Sequence, residues 1–512
     1  MKVRSAAALL VLSGSPSICA LELGPPSRPL PMPEALGGGL WDAVPQDGDG
    51  GAAPALRPPS PKIEREAIQR HVEVLASDAM EGRLAGTEST RRASDYLARV
   101  LEAAGVEPGG WAETPGEEGS STWFQSVPLV RQEFSRSPSL VLADAEGAER
   151  AVEYGVEFLL SPAGPDRVRG PLRIVQVHGA QDLPEERDES TALLFHTGRS
   201  DQRRILEEAG HPDGEGLGLV LRAAGSRPGR PGSPPRGGRL RLADPSAPSS
   251  APGITLRGLA SDEAARWVTV TLDPGGGDLP APDRNVVGII RGTGTPERPE
   301  LAREVVVLSA HFDHIGLGGA DDAEDRIRNG ADDDASGCAV LLELAEALVA
   351  ERPVRTVVIL LATAEEQGIL GTRWFVEQFP LEQVACNLNF EMLGRPDPEV
   401  GGAGKLWLTG YERSNLGPMI AAAGTGVLAD PRPDQSFFTR SDNIVFVQEG
   451  IVGQTLSTYN MHRDYHQVTD EAGTLDYAHM EAAARACLVA VRAVVDGEAS
   501  PAWLPGEPKL GR

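Results

Sequence analysis

Cysteine is scarce in this chain of 512 residues. The sequence contains only four cysteines, Cys19, Cys338, Cys386 and Cys487, and no two of them form a Cys-x-x-Cys pair. This spacing supports neither a thiolate zinc knuckle nor a thioredoxin-like redox motif, and it provides no disulfide framework. Aromatic residues are also sparse, at 5%, whereas 59 glycines and 42 prolines indicate that part of the chain is loop or linker.

Positive charge is in deficit as well. Lysine and arginine number 48 against 74 aspartates and glutamates, which gives a formal net charge of −26. Such a surface repels nucleic-acid phosphates and anionic lipid, so we expect neither as a partner. Long apolar runs are also missing, since beyond the N-terminal segment none approaches the ~20 residues of a membrane-spanning helix. None of these features indicates an oligomeric state.

The first residues resemble a secretory signal. A basic start precedes a short apolar stretch, and the small residue Ala20 stands at a cleavage position. We therefore predict a signal peptide at 1–20 and a secreted or periplasmic protein; without such a signal the protein would be cytoplasmic. Residues 21–60 are rich in proline and glycine and are predicted to be a linker, and 499–512 a tail.

Periodic apolar positions begin near residue 61. In 63–76 and 90–104 they recur at the three- and four-residue spacing of amphipathic helices. We interpret 61–130 as the N-terminal helical part of the main domain. Short apolar runs divided by turn residues then predict a smaller strand-rich inserted domain at 131–282. Within it, the stretch 225–253 is dense in Pro, Gly, Ser and Arg and is predicted to be disordered.

Strands and helices alternate through residues 283–498. The pattern predicts strands at 286–290, 305–309, 356–363, 386–391 and 452–457, and helices at 336–350, 371–378 and 477–495. Apolar strands connected by crossover helices are typical of an α/β fold. We therefore predict a mostly parallel, mixed central sheet flanked by helices.

Residue types that bind metals are concentrated in five segments of this region. The segments are 311–314, 329–337, 363–368, 387–394 and 462–466. All but the last lie at or just after the C-terminal end of a predicted strand, where open α/β sheets build their sites. We therefore expect their side chains to meet at one edge of the sheet.

The chemistry of these segments favours a metal site. A neutral imidazole such as His311 binds zinc through one nitrogen, and Asp313 could accept a hydrogen bond from the other. The adjacent Glu365 and Glu366 should point in different directions, which suits a general base beside a ligand. Glu391 interrupts an apolar strand, and a buried glutamate needs a partner. For each segment alone, a strand-end turn or a solvated polar loop is an open alternative.

Taken together, the segments resemble the zinc peptidase family that contains bacterial leucyl aminopeptidases and glutamate carboxypeptidase II. The likeness lies in Gly-Ala-Asp-Asp-Asp-Ala-Ser-Gly at 330–337, followed by Ala-Glu-Glu at 364–366. It covers about 285–495 and also 63–130, including Glu-Gly-Arg-Leu-Ala-Gly-Thr at 81–87. The inserted region is weakly similar to the protease-associated domain of many members. This resemblance implies a zinc-exopeptidase fold that binds two Zn²⁺ ions.

The resemblance also implies a ligand set. His311, Asp332 and Glu391 would hold the first Zn²⁺, and Asp332, Glu366 and His466 the second. Asp332 would bridge both ions, and the peptide bond after it would be cis. Relatives usually have aspartate where Glu391 stands, and the additional methylene could alter metal affinity or preference.

Further roles complete the expected site. Glu365 matches the general base of the family, and Asp313, as the possible acceptor for the other nitrogen of His311, is assigned a supporting catalytic role. Met392 matches a position that lines the substrate side-chain pocket, and Tyr465 could stabilise the oxyanion. We prefer His466 to the nearby His462 as a ligand, because the triplet Asp-Tyr-His is what matches.

The implied function is that of an aminopeptidase, in which a metal-activated water attacks the N-terminal peptide bond of a peptide substrate. A carboxypeptidase is one alternative, for which Arg395 is a candidate to grip the substrate carboxylate. A glutaminyl cyclase, which keeps one zinc, is another. A non-catalytic receptor-like binding protein is a third, but the presence of Glu365 and of every ligand type favours a peptidase.

Overall fold

The computed structural model describes residues 60–111, 121–134, 136–160, 169–185, 188–197, 199–209, 219–224, 240–243, 253–257, 261–318, 323–497 and 499–508. The predicted signal peptide and nearly all of the predicted linker lie outside these ranges. So do most of the stretch 225–253 and the last residues of the predicted tail.

The described residues contain nine α-helices and 22 strands. The helices are α1 Arg65–Leu75, α2 Glu88–Ala103, α3 Arg199–Glu208, α4 Ser261–Ala264, α5 Gly337–Ala350, α6 Leu370–Gln378, α7 Leu416–Ala422, α8 Asn443–Gln448 and α9 Tyr477–Val495. The strands up to residue 160 are β1 Glu107–Pro108, β2 Gly110–Trp111, β3 Ser121–Thr122, β4 Phe124–Val127, β5 Leu129–Phe134, β6 Ser139–Asp144, β7 Glu149–Val152 and β8 Phe158–Leu160. The later strands are β9 Arg169–Val177, β10 Thr191–Phe195, β11 Leu219–Ala224, β12 Leu240–Leu242, β13 Gly253–Arg257, β14 Trp267–Asp273, β15 Gly276–Pro280, β16 Asp283–Ile290, β17 Val305–His311, β18 Thr356–Ala362, β19 Val384–Phe390, β20 Trp407–Leu408, β21 Leu428–Ala429 and β22 Gly453–Ser457. None of these helices is both long and apolar enough to cross a membrane.

A nine-stranded mixed sheet contains the strands that precede the metal-binding segments. Its order is β1-β16-β18-β17-β19-β22-β20-β21, and β4 also pairs with β16. The central strands β18, β17, β19 and β22 are mutually parallel, whereas β16 and β20 join them antiparallel. β17 and β18 are buried along their whole length, which explains their unbroken apolar sequences. The predicted α/β fold with a mixed central sheet is confirmed.

Helices cover both faces of this sheet. Along β17, Val306 and Leu308 point into one core cluster, while Val305 and Val307 point into another. α1, α2, α5 and α9 contribute to the first cluster, and α6 and α8 to the second. α5 is almost entirely buried, because it lies between the sheet and the helices α1 and α9. The sheet is therefore flanked by helices on both faces, as predicted.

A second, eight-stranded sheet occupies much of the region predicted to be strand-rich. Its order is β7-β6-β14-β9-β10-β11-β13-β8, and it has its own cluster of buried residues, including Leu142, Leu194 and Leu221. α3 packs its Ile205 and Leu206 against residues of β9, β10 and β11 in a further cluster. The limits of the inserted domain and its likeness to a protease-associated domain are still predictions.

One strand lies inside the stretch predicted to be disordered. β12 pairs antiparallel with β5, which pairs in turn with β15 in a three-stranded sheet. Leu240, on β12, is only 2% exposed. A few apolar residues in a stretch of low hydrophobicity thus become ordered because a distant strand supplies both hydrogen bonds and apolar contacts.

Candidate metal centre

Three adjacent parallel strands end beside one another at one edge of the central sheet. β17 ends at His311, β18 ends three residues before Glu365, and β19 ends one residue before Glu391. Two residues just past these ends, Ala364 and Met392, have positive φ angles of 56° and 54°. Such angles are uncommon outside glycine and cluster at functional sites. The strand ends therefore bring the predicted residues together.

His311, Asp333 and Glu391 form a first group of potential ligands. Their ligand atoms all lie within 4.8 Å of one another. The Nε2 atom of His311 lies 3.3 Å from Oδ1 of Asp333. Its Nδ1 atom lies 3.2 Å from the carbonyl oxygen of Asp313 and 3.8 Å from the Asp313 carboxylate. The backbone oxygen, rather than the predicted side chain, therefore accepts the Nδ1 hydrogen bond and leaves Nε2 for a cation.

A second group consists of His314, Asp333, Glu366 and His466, and it shares Asp333 with the first. The Nε2 atom of His466 lies 3.1 Å from Oδ2 of Asp333 and 3.2 Å from Oε1 of Glu366. The Nδ1 atom of His314 lies 2.8 Å from the same Oε1. The two oxygens of Asp333 thus face different groups.

Several atoms of the second group are buried and make no well-aligned hydrogen bond, although some lie within 3.2 Å of one another. They are both ring nitrogens of His314, Nε2 of His466 and Oε1 of Glu366. An unsatisfied buried polar group costs about 1–3 kcal/mol. Zn²⁺ takes imidazole nitrogens and carboxylate oxygens as ligands, so it would satisfy Nε2 of His466, Oε1 of Glu366 and one of the two nitrogens of His314. The residues present therefore fit Zn²⁺.

His314 had no predicted role. It belongs to the segment 311–314 and comes three residues after His311, just past the end of β17. Its backbone pairs with Leu84 as an isolated bridge, and its side chain is completely buried. The signal available in the sequence was a second histidine within a candidate metal-binding segment.

Asp332 lies in neither group, although it was predicted to be the shared ligand. Its Oδ1 atom accepts hydrogen bonds from the Gly394 N–H at 2.7 Å and from the Ser336 hydroxyl at 3.1 Å. Its Oδ2 atom lies 3.0 Å from Nε2 of His462. Asp332 therefore contacts the residues behind the site, and Asp333 occupies the position expected of it.

The cis peptide bond is displaced in the same way. It lies between Asp333 and Asp334, one bond later than predicted. Both residues depart from helical φ and ψ angles within the turn that precedes α5. This departure points the three consecutive carboxylates in different directions. The prediction was wrong by one residue because neighbouring aspartates are identical in sequence and differ only in backbone conformation.

Glu365 lies in the same pocket as Asp333 and Glu391 but belongs to neither ligand group. Its backbone N–H donates to Oδ1 of Asp313 at 2.9 Å, and the N–H of Glu366 donates to Oδ2 at 3.3 Å. Asp313 thus orients the backbone that carries both glutamates. Burial raises the pKa of Glu365 well above its usual range, which makes its carboxylate a stronger base.

Opposite charges and burial shift the other ionisable groups. Burial alone raises the pKa of Asp333, but His311 and His466 outweigh this effect and bring it well below its usual range. Burial lowers the pKa of His466, but the carboxylates of Asp333 and Glu366 outweigh it and raise the value to about 10. Burial raises the pKa of Glu391 to about 7. Metal binding at neutral pH would therefore displace a proton from His466.

The ligand groups open into a pocket. Its apolar and aromatic side chains are Met392, Trp407, Phe437, Met461 and Tyr465, and its uncharged polar ones are Thr409, Ser441, Thr455, Ser457 and Asn460. Met392 and Tyr465, the two residues predicted to contact substrate, both line it. The Tyr465 ring stacks on the His466 ring with centroids 3.9 Å apart. Arg440 also lines the pocket.

A charged network lies behind the ligand groups. The Oδ2 atom of Asp470 accepts hydrogen bonds from the N–H groups of Asp332 and Asp333, at 3.0 and 3.2 Å. The guanidinium of Arg395 lies 3.3 Å from both Asp464 and Asp470. Arg395 was the candidate for binding a substrate carboxylate, but its guanidinium forms ion pairs with carboxylates of the protein itself. Asp470 was missed because an isolated aspartate in a loop forms no sequence pattern.

Asp442 is another buried acid beside the pocket. It is completely buried, and the Thr372 hydroxyl donates to its Oδ1 atom at 2.6 Å. Its Oδ2 atom has no hydrogen-bond partner. Burial raises the pKa of Asp442 to about 6 from its ordinary value of 3.8.

We expect Asp442→Asn to stabilise the metal-free protein at neutral pH. Because the pKa of Asp442 is raised in the folded state, the contribution of its protonated carboxyl to stability is fully present below about pH 4. That contribution is lost as the pH rises through about 6. Asparagine does not ionise, so the variant does not lose this stability. The difference amounts to about 3 kcal/mol, at 1.36 kcal/mol for each unit of pKa difference between the folded and unfolded states. Urea unfolding with chelator should show equal stability at pH 4 and a growing advantage for the variant up to pH 7. A difference that is constant with pH would contradict this account.

Comparison with known sequences identifies relatives of part of the chain. Residues 285–491 match the model of peptidase family M28, which confirms the expected resemblance. A "probable zinc metalloprotease" of Leptosphaeria maculans is 36% identical over 121 residues, which cover 23% of this chain and 26% of that protein. A "glutamate carboxypeptidase 2 homolog" of Caenorhabditis briggsae is 36% identical over 102 residues, covering 19% and 11%. The chain thus spans about a quarter or less of these relatives' lengths.

Comparison with solved structures extends over more of the chain. An aminopeptidase from Aneurinibacillus sp. strain AM-1 aligns with a TM-score of 0.51 and 17% sequence identity. The alignment covers 84% of this chain and 93% of that one. At this identity the likeness is one of fold.

Proposed function

We propose that this chain, which carries a peptidase family M28 domain at residues 285–491, is a zinc-dependent aminopeptidase that uses two bound Zn²⁺ ions. The observation that supports this most strongly is the position of Asp333. Its Oδ1 atom lies 3.3 Å from His311, and its Oδ2 atom lies 3.1 Å from His466. One carboxylate placed between two ligand groups suits a two-metal site.

The ligands divide between the two ions. His311, Asp333 and Glu391 would hold one Zn²⁺, and Asp333, Glu366 and His466 would hold the other. Each set combines one imidazole with carboxylates and leaves coordination positions open, as catalytic zinc sites do. The assignment differs from the ligand set implied by the sequence only in the shared aspartate.

His314 makes the two groups unequal. Its Nδ1 atom lies 3.8 Å from Oδ2 of Asp333, so the second ion has a further imidazole within reach. Imidazole suits Zn²⁺, whereas sites rich in carboxylate also suit Mg²⁺ or Mn²⁺. We therefore assign the tighter zinc site to the group that contains His314.

Zinc bound here would polarise the peptide carbonyl and lower the pKa of a bound water. Glu365 would accept the proton of the attacking water and pass it to the leaving amine, a role that its raised pKa supports. Asp313 would hold Glu365 in place through the backbone hydrogen bond. Tyr465 lines the same pocket and is our candidate donor to the developing oxyanion.

The pocket also suits a free N-terminus. Its metal end is lined by four carboxylates, which would attract the α-ammonium group of a peptide. Met392, Trp407 and Phe437 line the same pocket and offer an apolar surface for a side chain. We therefore propose peptides with an apolar N-terminal residue as substrates.

A carboxypeptidase is the second candidate, because one observation favours it. Arg440 lines the pocket with its guanidinium 5.0 Å from the Phe437 ring. No carboxylate of the described ranges lies within ion-pair distance of it, so it could bind a substrate carboxylate. Arg395 cannot do so without leaving its acidic partners. A glutaminyl cyclase would not need the shared Asp333.

A substrate panel would separate these functions. We expect the purified full chain to hydrolyse leucine amide at least about 100-fold more efficiently than an N-acetyl dipeptide, about 3 kcal/mol of recognition of the free amine. Chelator should remove the activity, and zinc should restore it. Arg440→Ala should leave amide hydrolysis unchanged.

Other outcomes would support a different function. Preference for the blocked dipeptide, lost in Arg440→Ala, would establish the carboxypeptidase instead. Cyclisation of an N-terminal glutamine would indicate the cyclase. Zinc binding without turnover of any substrate would indicate a binding protein.

A further inference from the structure

Arg83 is completely buried, although it lies far in sequence from the residues that match the peptidase family. Its guanidinium donates hydrogen bonds to four backbone carbonyls. Nε donates to Phe312 at 2.6 Å, Nη1 to Leu75 at 2.5 Å and to Asn329 at 2.7 Å, and Nη2 to Gly330 at 2.9 Å. A buried arginine normally has a carboxylate partner, so four hydrogen bonds that all go to backbone carbonyls need an explanation.

Three of these carbonyls belong to the loops that carry the ligands. Phe312 stands between His311 and Asp313, and Asn329 and Gly330 lead directly into the aspartate run. One planar cation therefore joins the two ends of the connection between β17 and α5, which we call the His311 loop (312–316) and the Asp333 loop (328–336). The distance between these loops decides whether His311 and the shared aspartate can ligate the same ion.

The backbone on either side of the guanidinium makes a second connection. The carbonyl of Arg83 accepts the His314 N–H at 3.0 Å, and the carbonyl of Gly82 accepts the Gly316 N–H at 2.9 Å. Gly82 has φ of +66°, and a Cβ atom there would lie 2.5 Å from the carbonyl oxygen of Arg328. The main chain of Gly82 and Arg83 therefore also contacts both of these loops closely.

We propose that Arg83 is a positioning residue of the metal centre. It holds the His311 loop and the Asp333 loop at the separation that the ligands require. This inference rests on the two-metal centre proposed above. Arginine suits the task because its donors lie in a fixed plane and reach several acceptors at once, whereas the three donors of lysine leave from one point.

Arg355 provides a matched control. It is 1% exposed, and it donates to the carbonyls of Val494 and Gly497 and to the carboxylate of Glu304. It stands just before the first residue of β18, at the opposite edge of the sheet from the ligands. Loss of Arg355 should therefore destabilise the fold without touching the metal loops.

The test is the zinc affinity of the full chain, stripped of metal and titrated in competition with a chromophoric chelator. We expect Arg83→Met to weaken zinc binding about 10- to 100-fold, the usual effect of removing a group that orients ligands. Arg355→Met should keep wild-type affinity within about twofold, because it lies far from the ligands. The melting temperature of the metal-free chain should fall in both variants.

The outcomes distinguish this inference from the one on which it rests. If the wild-type chain binds no zinc, the proposed metal centre is itself refuted. Wild-type zinc affinity in Arg83→Met, or an equal loss in Arg355→Met, would leave the metal centre intact and overturn the positioning role. If Arg83→Met does not fold, Arg83→Lys decides: we expect an affinity loss of about threefold or more, since lysine cannot span both loops, and unchanged affinity would contradict us.

Discussion

Asp333→Asn should remove bound metal and activity together. We expect the zinc content to fall from two ions to one or none. Each ligand group uses one oxygen of the Asp333 carboxylate, and the neutral amide of asparagine cannot offer a negative oxygen to both groups. Loss of about 4 kcal/mol of transition-state stabilisation corresponds to roughly a thousandfold drop in kcat/KM. Zinc content by elemental analysis and amide hydrolysis on the same preparation would measure both effects.

The matched control is the same chemical change one residue earlier. Asp332→Asn keeps a carbonyl oxygen that can still accept from the Gly394 N–H and the Ser336 hydroxyl. It should therefore retain two zinc ions and lose no more than about tenfold in activity, about 1.4 kcal/mol. If Asp332→Asn loses its zinc while Asp333→Asn keeps it, the ligand assignment derived from the family resemblance is right and ours is wrong.

Glu365→Gln should abolish turnover while leaving both zinc ions in place. The glutamine has nearly the same shape but cannot accept a proton, and general-base catalysis is typically worth about 10²–10⁴-fold. Metal should stay because the Glu365 side chain belongs to neither ligand group. In this variant the single-turnover rate should therefore fall while the zinc content stays at two ions, whereas both fall together in Asp333→Asn.

Glu377→Gln is the control for Glu365→Gln. Glu377 is exposed on α6, the helix that follows the glutamate pair, so its replacement should change neither rate nor metal content. Retained turnover in Glu365→Gln would assign the proton transfer to another group. Loss of zinc in that variant would instead make Glu365 a ligand.

Local sequence patterns account for much of the catalytic fold. β17 and β18 begin at the predicted residues Val305 and Thr356, and α9 has the predicted limits Tyr477–Val495. These elements are buried or amphipathic over their whole length, so their periodicity is visible in the sequence. β12 was missed because its order depends on a partner strand, β5, that is more than 100 residues away.

In the metal centre too, the residues that short sequence patterns mark were predicted, and those placed by contacts distant in sequence were not. Strand ends and residue types identify His311, Glu366 and Glu391, because both are visible in a short window. The choice between Asp332 and Asp333 depends on backbone angles within a run of identical residues, and no composition rule resolves it. Asp470 and Arg83 act through hydrogen bonds to segments distant in sequence, so they form no local pattern.

The most direct test of this account is anomalous diffraction at the zinc absorption edge from crystals of the full chain. We predict two zinc peaks, with one oxygen of Asp333 about 2.0–2.2 Å from each, the usual Zn–carboxylate distance. The peak that lies beside Glu366 and His466 should also have His314 among its neighbours. A single peak, or two peaks of which Asp333 touches at most one, would contradict the shared-ligand site.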